Sequence, residues 1–540
     1  MTEASDENKN SEERPRSPRR APSATRVAAL TVRHLDDALS PNELAKLETR
    51  DVVAFLAPRR WFGAKAGAPS AARIRDVIAL PWETGGFAIA RLDVTTGAGQ
   101  ALYQLPLCIR SIEEIGDQLP KSALARVVAT EDADEGILFD AVEDGAFVRG
   151  LVDAFAHGGS FGDRARWIIE PLSAASFVVP ESTEVRVGSA EQSNTSIIIG
   201  EQAILKLFRK LEQGEHPDVE LTRFLTIDAK FAHTPALLGI IRFEEEGRAT
   251  IAGMLTEYLP KSVDAWSYAL ERARPYFNAP RDRESPNVFL GDAERLGVVT
   301  RAMHEALARG TGQDLVPEPA SARMIDQWAS RARQSLRDAL SLLERQLRAR
   351  ALPKERAPEG EALVKRTERY LAVVDEIVST MHGDAGLATR IHGDYHLGQV
   401  LRTAGDDFMI IDFEGEPARS LAERRSKASP LRDVAGMLRS FAYAAATLGM
   451  EAKALDQSTR ELRIGRWERD TRESFLRGYL ASDERNPRPE RSILPADPEH
   501  MRALLRLFEL EKAFYELSYE LNNRPGWTWI PMRGIAKLLA

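Results

Sequence analysis

Three side chains in the C-terminal half have the types and the order of a phosphoryl-transfer site. Asp394 lies in a loop-like segment, Gln399 follows five residues later, and Asp412 ends a predicted strand eighteen residues after Asp394. One carboxylate can accept the proton of an attacking hydroxyl, while an amide oxygen and a second carboxylate can hold the Mg²⁺ that bridges nucleotide phosphates. Glu414 can add a contact to the same metal. We therefore predict transfer of phosphate from ATP with Asp394 as the base and Mg²⁺ as a cofactor.

The same segment permits a second interpretation as a zinc site. His392 and His396 are four residues apart, and His382 lies nearby. On a helix this spacing lets two imidazoles share one metal ion. Gly393 opposes a helix here, and no Glu directly follows His392 as in zinc proteases. A zinc hydrolase and an ordinary surface loop are therefore the less favoured alternatives.

A cation for the nucleotide phosphates is predicted upstream. Lys206 lies in the apolar strand Ile204-Leu-Lys-Leu-Phe, where an ammonium group is costly unless it is paired or faces a cleft. Glu220 follows fourteen residues later on a predicted helix. A strand Lys paired with a helix Glu holds the α and β phosphates in protein kinases, so we predict this pair here. The alternative is an edge-strand Lys that reaches into solvent.

Two further segments can complete a nucleotide pocket. The small, polar stretch 188–196 lies between two predicted strands, and Ser193, Asn194 and Thr195 can approach phosphate through backbone N–H groups and side chains. The strand that ends at Thr256-Glu-Tyr-Leu precedes the helical half of the chain. It is in the position of a hinge whose backbone groups, at Glu257 and Leu259, would bond adenine.

A C-terminal helix rich in aromatic and amide side chains could bind a sugar. Tyr519, Asn523 and Trp527 could stack on a sugar ring and bond its hydroxyl groups. The equal alternative is that these aromatic side chains belong to the core.

The composition limits the class of protein. The chain has 540 residues, of which 43% are apolar and 29% charged, and its net charge is 73 − 81 = −8. This balance is globular, and a mildly acidic protein has no overall attraction for nucleic acid or anionic membranes. Cys108 is the only cysteine, so no disulfide can form within the chain. We find neither an apolar run of about 18 residues nor a signal sequence and expect a cytoplasmic protein.

The order of predicted elements is β-rich first and then mainly helical. We predict a disordered tail (1–25), an N-terminal cap domain (26–127), an intermediate region and N-lobe with the nucleotide-binding strands (128–260), and a helical C-lobe with the catalytic loop (261–540). Within the N-lobe, Gly200 is expected to turn a hairpin between two strands.

The sequence resembles the maltokinases, which belong to the aminoglycoside-phosphotransferase branch of the protein-kinase-like fold. The resemblance covers about residues 26–540. It rests on the following segments: Arg60-Trp-Phe-Gly-Ala-Lys, Tyr103-Gln-Leu-Pro-Leu, His392-Gly-Asp-Tyr-His-Leu-Gly-Gln-Val-Leu, Ile410-Ile-Asp-Phe-Glu-Gly-Glu-Pro, Ser426-Lys-Ala-Ser-Pro-Leu-Arg-Asp and Tyr519-Glu-Leu-Asn-Asn-Arg-Pro.

The resemblance implies an α+β, bilobal kinase-like fold with a β-rich cap and N-lobe and a mainly helical C-lobe. It also implies ATP-dependent phosphorylation of maltose to maltose 1-phosphate for α-glucan synthesis, and a functional partnership with trehalose synthase. Asp433 is expected to support the catalytic loop. A kinase for another sugar such as glucosamine, and a catalytically silent kinase-like binding protein, are the alternatives.

Overall fold

The computed structural model describes residues 27–62, 67–82, 85–116, 119–172, 183–188, 194–280, 285–381, 384–485 and 492–539. The predicted tail 1–25, Ser193, His382 and residues 63–65 of the cap motif lie outside these ranges. The chain divides into two compact units, Met1–Phe147 and Val148–Ala540. The helix α4 (Gly145–His157) contains the point of division. No helix among the described residues is long and apolar enough to cross a membrane.

The first unit is built on a sheet whose strands follow the order β1-β5-β6-β4-β3-β2. Its strands are β1 (Ala28–Val32), β2 (Pro69–Leu80), β3 (Phe87–Thr96), β4 (Gly99–Ser111), β5 (Ala123–Ala129) and β6 (Glu135–Asp140), and its short helices are α1 (Pro41–Leu44), α2 (Thr49–Leu56) and α3 (Ile112–Ile115). The strand β3 is buried on both faces from Phe87 to Val94, as expected of a central strand. Apolar side chains of α1 and α2 share a core with the sheet. The predicted boundary at residue 127 falls inside β5, which pairs with β1 and β6; the first unit therefore continues to Phe147.

The second unit begins with an antiparallel sheet in the order β7-β8-β13-β14-β11-β10-β9. These strands are β7 (Gly159–Phe161), β8 (Ala165–Pro171), β9 (Val185–Val187), β10 (Asn194–Ile199), β11 (Ala203–Phe208), β13 (Leu237–Glu245) and β14 (Arg248–Glu257), with the two-residue strand β12 at Lys210–Leu211. The predicted hairpin joins β10 to β11, and Gly200 takes φ = 55°, which a glycine adopts without steric cost. The helix α5 (Pro217–Arg223) follows this hairpin and continues into a π-helical turn, Phe224–Asp228.

The rest of the second unit is mainly helical, as predicted. Its helices are α6 (Ala265–Asn278), α7 (Leu290–Leu307), α8 (Ala322–Arg348), α9 (Ala357–Val364), α10 (Thr367–Thr380), α11 (Leu421–Arg424), α12 (Leu431–Glu451), α13 (Gln457–Arg485), α14 (Pro498–Asn523) and α15 (Trp529–Leu539). Its short strands are β15 (Val263–Asp264), β16 (Glu318–Pro319), β17 (Leu387–Ala388), β18 (Val400–Arg402) and β19 (Phe408–Ile410). The antiparallel pair β18–β19 is surrounded by these helices in one apolar core, and it positions the predicted phosphotransfer residues.

Candidate active site

The loop that carries Asp394 lies between β17 and β18, and its backbone is held by a buried acid. Asp433, at the start of α12, accepts the N–H of His392 at 2.8 Å and the N–H of Gly393 at 2.9 Å. The ring Nε2 of His392 donates to the carbonyl of Ile411 at 2.9 Å, which ties the loop to the segment after β19. Asp433 thus contacts the loop as its expected supporting role requires, and His392 joins the loop to the segment after β19.

Gly393 is required by the backbone of this loop. Its φ of 83° lies in the left-handed region, and a Cβ atom there would lie 3.3 Å from the Cα of Gly415. Any larger residue would therefore strain the turn that presents Asp394.

The histidines of the same loop are engaged with backbone groups. His396 Nδ1 accepts the N–H of Gly398 at 3.0 Å, and His392 bonds the carbonyl of Ile411. Among the described residues, the group of side chains close enough to hold a metal ion contains carboxylates and neither of these histidines. The geometry therefore favours a site with oxygen ligands over the zinc interpretation.

Lys206 lies among three carboxylates. Its Nζ is 2.5 Å from Asp412 Oδ1, 2.6 Å from Glu414 Oε1 and 3.1 Å from Asp218 Oδ2. Burial favours the protonated form of Asp412, but Lys206 outweighs this effect, with help from Gln399, and holds the pKa of Asp412 at about 2. Burial raises the pKa of Glu414. Lys206 is thus paired and faces a polar cluster, as its place in an apolar strand requires.

The cluster has the donor set that Mg²⁺ prefers. Single oxygen atoms of Asp218, Asp412 and Glu414 all lie within 4.8 Å of one another. Gln399 donates its Nε2 to Asp412 Oδ2 at 2.8 Å, so its amide lies beside the same carboxylate. Carboxylate and amide oxygens suit a hard divalent cation, and these residues therefore fit the predicted metal.

Asp412 has an uncommon backbone conformation. Its φ is 68°, in the left-handed region that residues with a side chain rarely adopt. The next N–H, that of Phe413, donates to Asp218 Oδ1 at 2.8 Å. Asp218 therefore holds both Lys206 and the turn that presents Asp412.

The structure corrects the predicted partner of Lys206. The carboxylate that Lys206 contacts on α5 belongs to Asp218, whereas Glu220 is bonded by Arg390 and Arg425. Residues two positions apart on an α-helix are separated by about 200° around its axis, so Asp218 and Glu220 face opposite sides. The sequence places both acids in one turn but does not indicate which of them faces the cleft.

The predicted phosphate-binding residues divide between the two faces of β10. Asn194 donates its Nδ2 to Glu414 Oε1 at 2.7 Å. Thr195 lies on the opposite face of the strand, where its Oγ1 accepts a hydrogen bond from Nε of buried Arg209 at 2.8 Å. Asn194 thus joins the cluster around Lys206, and the Thr195 side chain does not.

At the predicted hinge, Glu257 and Leu259 each use one backbone group in a hydrogen bond within the protein. The N–H of Glu257 donates to the carbonyl of Ala236 at 2.9 Å. The carbonyl of Leu259 accepts the hydroxyl of Ser262 at 2.7 Å. The bonding of adenine by backbone groups of Glu257 and Leu259 stays a prediction.

The side chain that contacts Asp394 comes from α14. Lys512 Nζ is 3.3 Å from Asp394 Oδ1 and 3.3 Å from Glu416 Oε1. Burial opposes the charge of Lys512, but the two carboxylates outweigh it and raise the pKa of the ammonium group. A cavity of about 50 Å³ beside Asp394 is lined in part by Lys512, Glu416 and Tyr515. Sequence reasoning missed Lys512, whose only signal was a basic residue within an apolar, aromatic helix.

Two of the residues predicted to bind sugar, Tyr519 and Asn523, lie further along α14, and Trp527 follows the end of that helix. Tyr519 and Asn523 are seven and eleven residues beyond Lys512, which is about 10 and 16 Å along the helix axis. Asn523 bonds the carbonyl of Tyr519 at 2.8 Å, and the guanidinium of Arg524 lies 5.5 Å from the Tyr519 ring and 4.7 Å from the Trp527 ring. Tyr519 and Asn523 thus lie beyond the part of α14 that contacts Asp394.

Comparison with known proteins gives matches to sugar and aminosugar kinases. The maltokinase N-terminal cap domain matches residues 55–144. A glucosamine kinase of Streptacidiphilus jiangxiensis is 25% identical over 392 residues, which are 72% of this chain and 80% of that protein. A glucosamine kinase of Mycolicibacterium smegmatis (strain ATCC 700084 / mc(2)155) is 27% identical over 354 residues, which are 65% and 78% of the two chains.

Solved structures show the same fold. A glucosamine kinase in complex with glucosamine, ADP and inorganic phosphate matches with a TM-score of 0.63 and 21% identity over 92% of this chain and 98% of that one. A second crystal form of a glucosamine kinase matches with a TM-score of 0.64, at the same identity and coverage. The predicted α+β, kinase-like fold is therefore confirmed.

The cap-domain match confirms the resemblance to maltokinases that the sequence predicts. The names of the relatives agree with the predicted class of ATP-dependent sugar phosphotransferase.

Proposed function

We propose that this chain is an ATP-dependent sugar kinase of the maltokinase type, which phosphorylates maltose at its anomeric hydroxyl to give maltose 1-phosphate. The observation that carries this proposal is the presence, in one compact unit, of a Lys206 carboxylate cluster and of Asp394 with its partner Lys512. The match to the maltokinase cap domain supports the choice of acceptor.

On the nucleotide side, Lys206 would contact the phosphates of ATP, and Asn194 would approach them from β10. Glu257 and Leu259 would bond adenine. Gln399, Asp412 and Glu414 would hold Mg²⁺, with Asp218 beside them. Bound there, the metal ion supplies positive charge against the phosphate oxygens.

On the acceptor side, Asp394 would orient the sugar hydroxyl and take its proton during attack on the γ-phosphate. Lys512 would keep the Asp394 carboxylate in place, because its ammonium bridges Asp394 and Glu416. Gln399, Asp412 and Glu414 as metal ligands, and Tyr519, Asn523 and Trp527 as sugar-binding residues, stay predictions, as does a partnership with trehalose synthase in α-glucan synthesis.

Glucosamine is the second candidate acceptor. Two relatives that cover most of their own length in the match are named glucosamine kinases, and so are the matched structures. A catalytically silent binding protein is less favoured, because Lys206, Asp394, Gln399 and Asp412 are all present.

The test is ATP turnover with maltose, glucosamine, glucose, trehalose and kanamycin in the presence of Mg²⁺, with each product identified by mass and NMR. Turnover with maltose to a 1-phosphate is the expected result. Turnover with glucosamine alone would replace the acceptor and keep the phosphotransfer site, and ATP binding without turnover of any acceptor would contradict the kinase proposal.

The role of Asp394 is tested by Asp394→Asn. We expect turnover to fall by about 10³-fold or more while ATP still binds, because the amide cannot accept the proton. Full activity of this variant would refute the assignment of Asp394 as the base.

A further inference from the structure

The helix α5 carries two acids that bond different parts of the second unit. Asp218 bonds Lys206 and the N–H of Phe413, on the side of the carboxylate cluster. Glu220, on the other side of the same turn, bonds Arg390 and Arg425. A single rigid turn of helix therefore touches both the cluster around Lys206 and a second set of charges.

The second set of charges is tightly paired, and it is most deeply buried at Arg390. Glu220 Oε2 accepts a hydrogen bond from Arg390 Nη1 at 2.5 Å. Arg425 donates two more hydrogen bonds to Glu220, from Nη2 to Oε1 at 3.0 Å and from Nε to Oε2 at 3.2 Å. The Glu220 side chain is 10% exposed and that of Arg390 is fully buried. Burial lowers the pKa of the Arg390 guanidinium, and Glu220 opposes this shift. Among the described residues, Nε and Nη2 of Arg390 have no hydrogen-bond partner, so Glu220 is the group that compensates this buried charge.

The position of Arg390 in the chain makes this pairing relevant to the reaction. Arg390 precedes His392 by two residues and Asp394 by four, at the start of the loop whose N–H groups Asp433 holds. Arg425 follows the segment that carries Glu414 and Glu416. Glu220 therefore ties the helix that positions Lys206 to the base of the loop that presents Asp394.

We propose that Glu220 is a positioning residue that couples the nucleotide side of the site to the Asp394 loop through Arg390. This inference rests on the proposed phosphotransfer. Glu220 bonds Arg390 and Arg425, neither of which we assign to substrate, so its loss should misplace the two reacting sides relative to each other rather than weaken the binding of either. A small misplacement of reacting groups is sufficient to slow a reaction by about 100-fold.

The test is Glu220→Gln, which keeps the size of the side chain and removes its charge. We expect kcat to fall at least about 10-fold, with the KM values for ATP and sugar within about 3-fold of wild type. We also expect faster hydrogen–deuterium exchange in a peptide covering residues 389–395, measured without substrates.

The matched control is Glu509→Gln. Glu509 forms a bidentate pair with Arg472 at 2.9 Å for both bonds, and its side chain is 5% exposed. This pair joins α14 to α13, and among the described residues its two side chains form no hydrogen bond or ion pair with Lys206, Asp394 or Lys512. The control should lose a similar amount of thermal stability but keep its kcat and the exchange of residues 389–395.

A second variant covers the case in which Glu220→Gln does not fold. Arg425→Gln removes the more exposed of the two ion pairs of Glu220, since the Arg425 side chain is 27% exposed. We expect a smaller fall in kcat, again without a change in KM. Glu220→Asp, which keeps the charge, should recover part of the kcat lost in Glu220→Gln.

Three outcomes would overturn the proposal: an unchanged kcat in a folded Glu220→Gln protein, an equal loss of kcat in the Glu509→Gln control, or a rise in KM that accounts for the whole effect. If the wild-type protein turns over no sugar, the proposed function fails on its own. The exchange measurement then still decides whether Glu220 holds the Asp394 loop.

Discussion

Asp433 offers the sharpest test of how the catalytic loop is held. In the variant Asp433→Asn, one carboxylate oxygen becomes an NH₂ group without a change in shape. The carboxylate accepts three donors: the N–H of His392 at 2.8 Å, the N–H of Gly393 at 2.9 Å and the ring Nε2 of His304 at 3.2 Å. These donors hold the pKa of Asp433 below its usual range, against the effect of burial.

The expected cost follows from these contacts. The amide can accept the N–H of His392 and the imidazole of His304 on its oxygen, but it then presents NH₂ to the N–H of Gly393. One charge-assisted bond is lost, at about 1.5–3 kcal/mol, and the other two each weaken by about 1 kcal/mol. We therefore expect the free energy of unfolding to fall by about 3.5–5 kcal/mol. If 2.7 kcal/mol of this cost falls on the placement of Asp394, turnover decreases by about 100-fold.

Steady-state kinetics and thermal unfolding of purified Asp433→Asn check both expectations. Asp375→Asn is the control, since Asp375 bonds Arg333 at the surface and its side chain is 64% exposed. Activity within about 3-fold of wild type, together with an unchanged unfolding midpoint, would refute the reasoning. It would mean that the loop keeps its shape without the carboxylate of Asp433.

Three further outcomes are expected. In Lys206→Met, three carboxylates lose their common cation. The free energy of unfolding, measured by chemical denaturation, should fall by about 3–5 kcal/mol. Steady-state kinetics should show a fall in kcat/KM for ATP of at least about 100-fold. In Lys512→Met, Asp394 loses its partner, and kcat should fall about 10- to 100-fold at an unchanged KM for ATP; an unchanged kcat would contradict this role. In the first unit, Arg110 outweighs burial and holds the pKa of Asp144 below its ordinary value, so the stability from this pair is present above pH ~3.9 and is lost as the pH falls through the lowered pKa. The loss in unfolding midpoint caused by Asp144→Asn should therefore be smaller at pH 3.5 than at pH 7.

The local sequence determined the elements that carry the site. Alternating apolar residues and a turn glycine predict the hairpin β10–β11, and Lys206 is found on it as expected. The order of Asp394, Gln399 and Asp412 predicts a loop followed by a strand, because glycine and polar residues precede a short apolar run. The structure has β18 and β19 in these positions, and Gln399 bonds Asp412. Such features depend on neighbours along the chain, and they can therefore be predicted from it.

The tertiary structure decided which charged groups meet. Whether Asp218 or Glu220 faces Lys206 depends on the rotation of α5 against the sheet, and this rotation is set by packing rather than by the spacing of the two acids. The contact between Lys512 and Asp394 joins residues 118 positions apart, through the packing of α14 beside the catalytic loop. Burial then gives these contacts their energy, because a charge removed from water must find a partner wherever the fold supplies one. The sequence by itself thus determined the reactive side chains and their order, while the packing of distant helices decided which partners hold them.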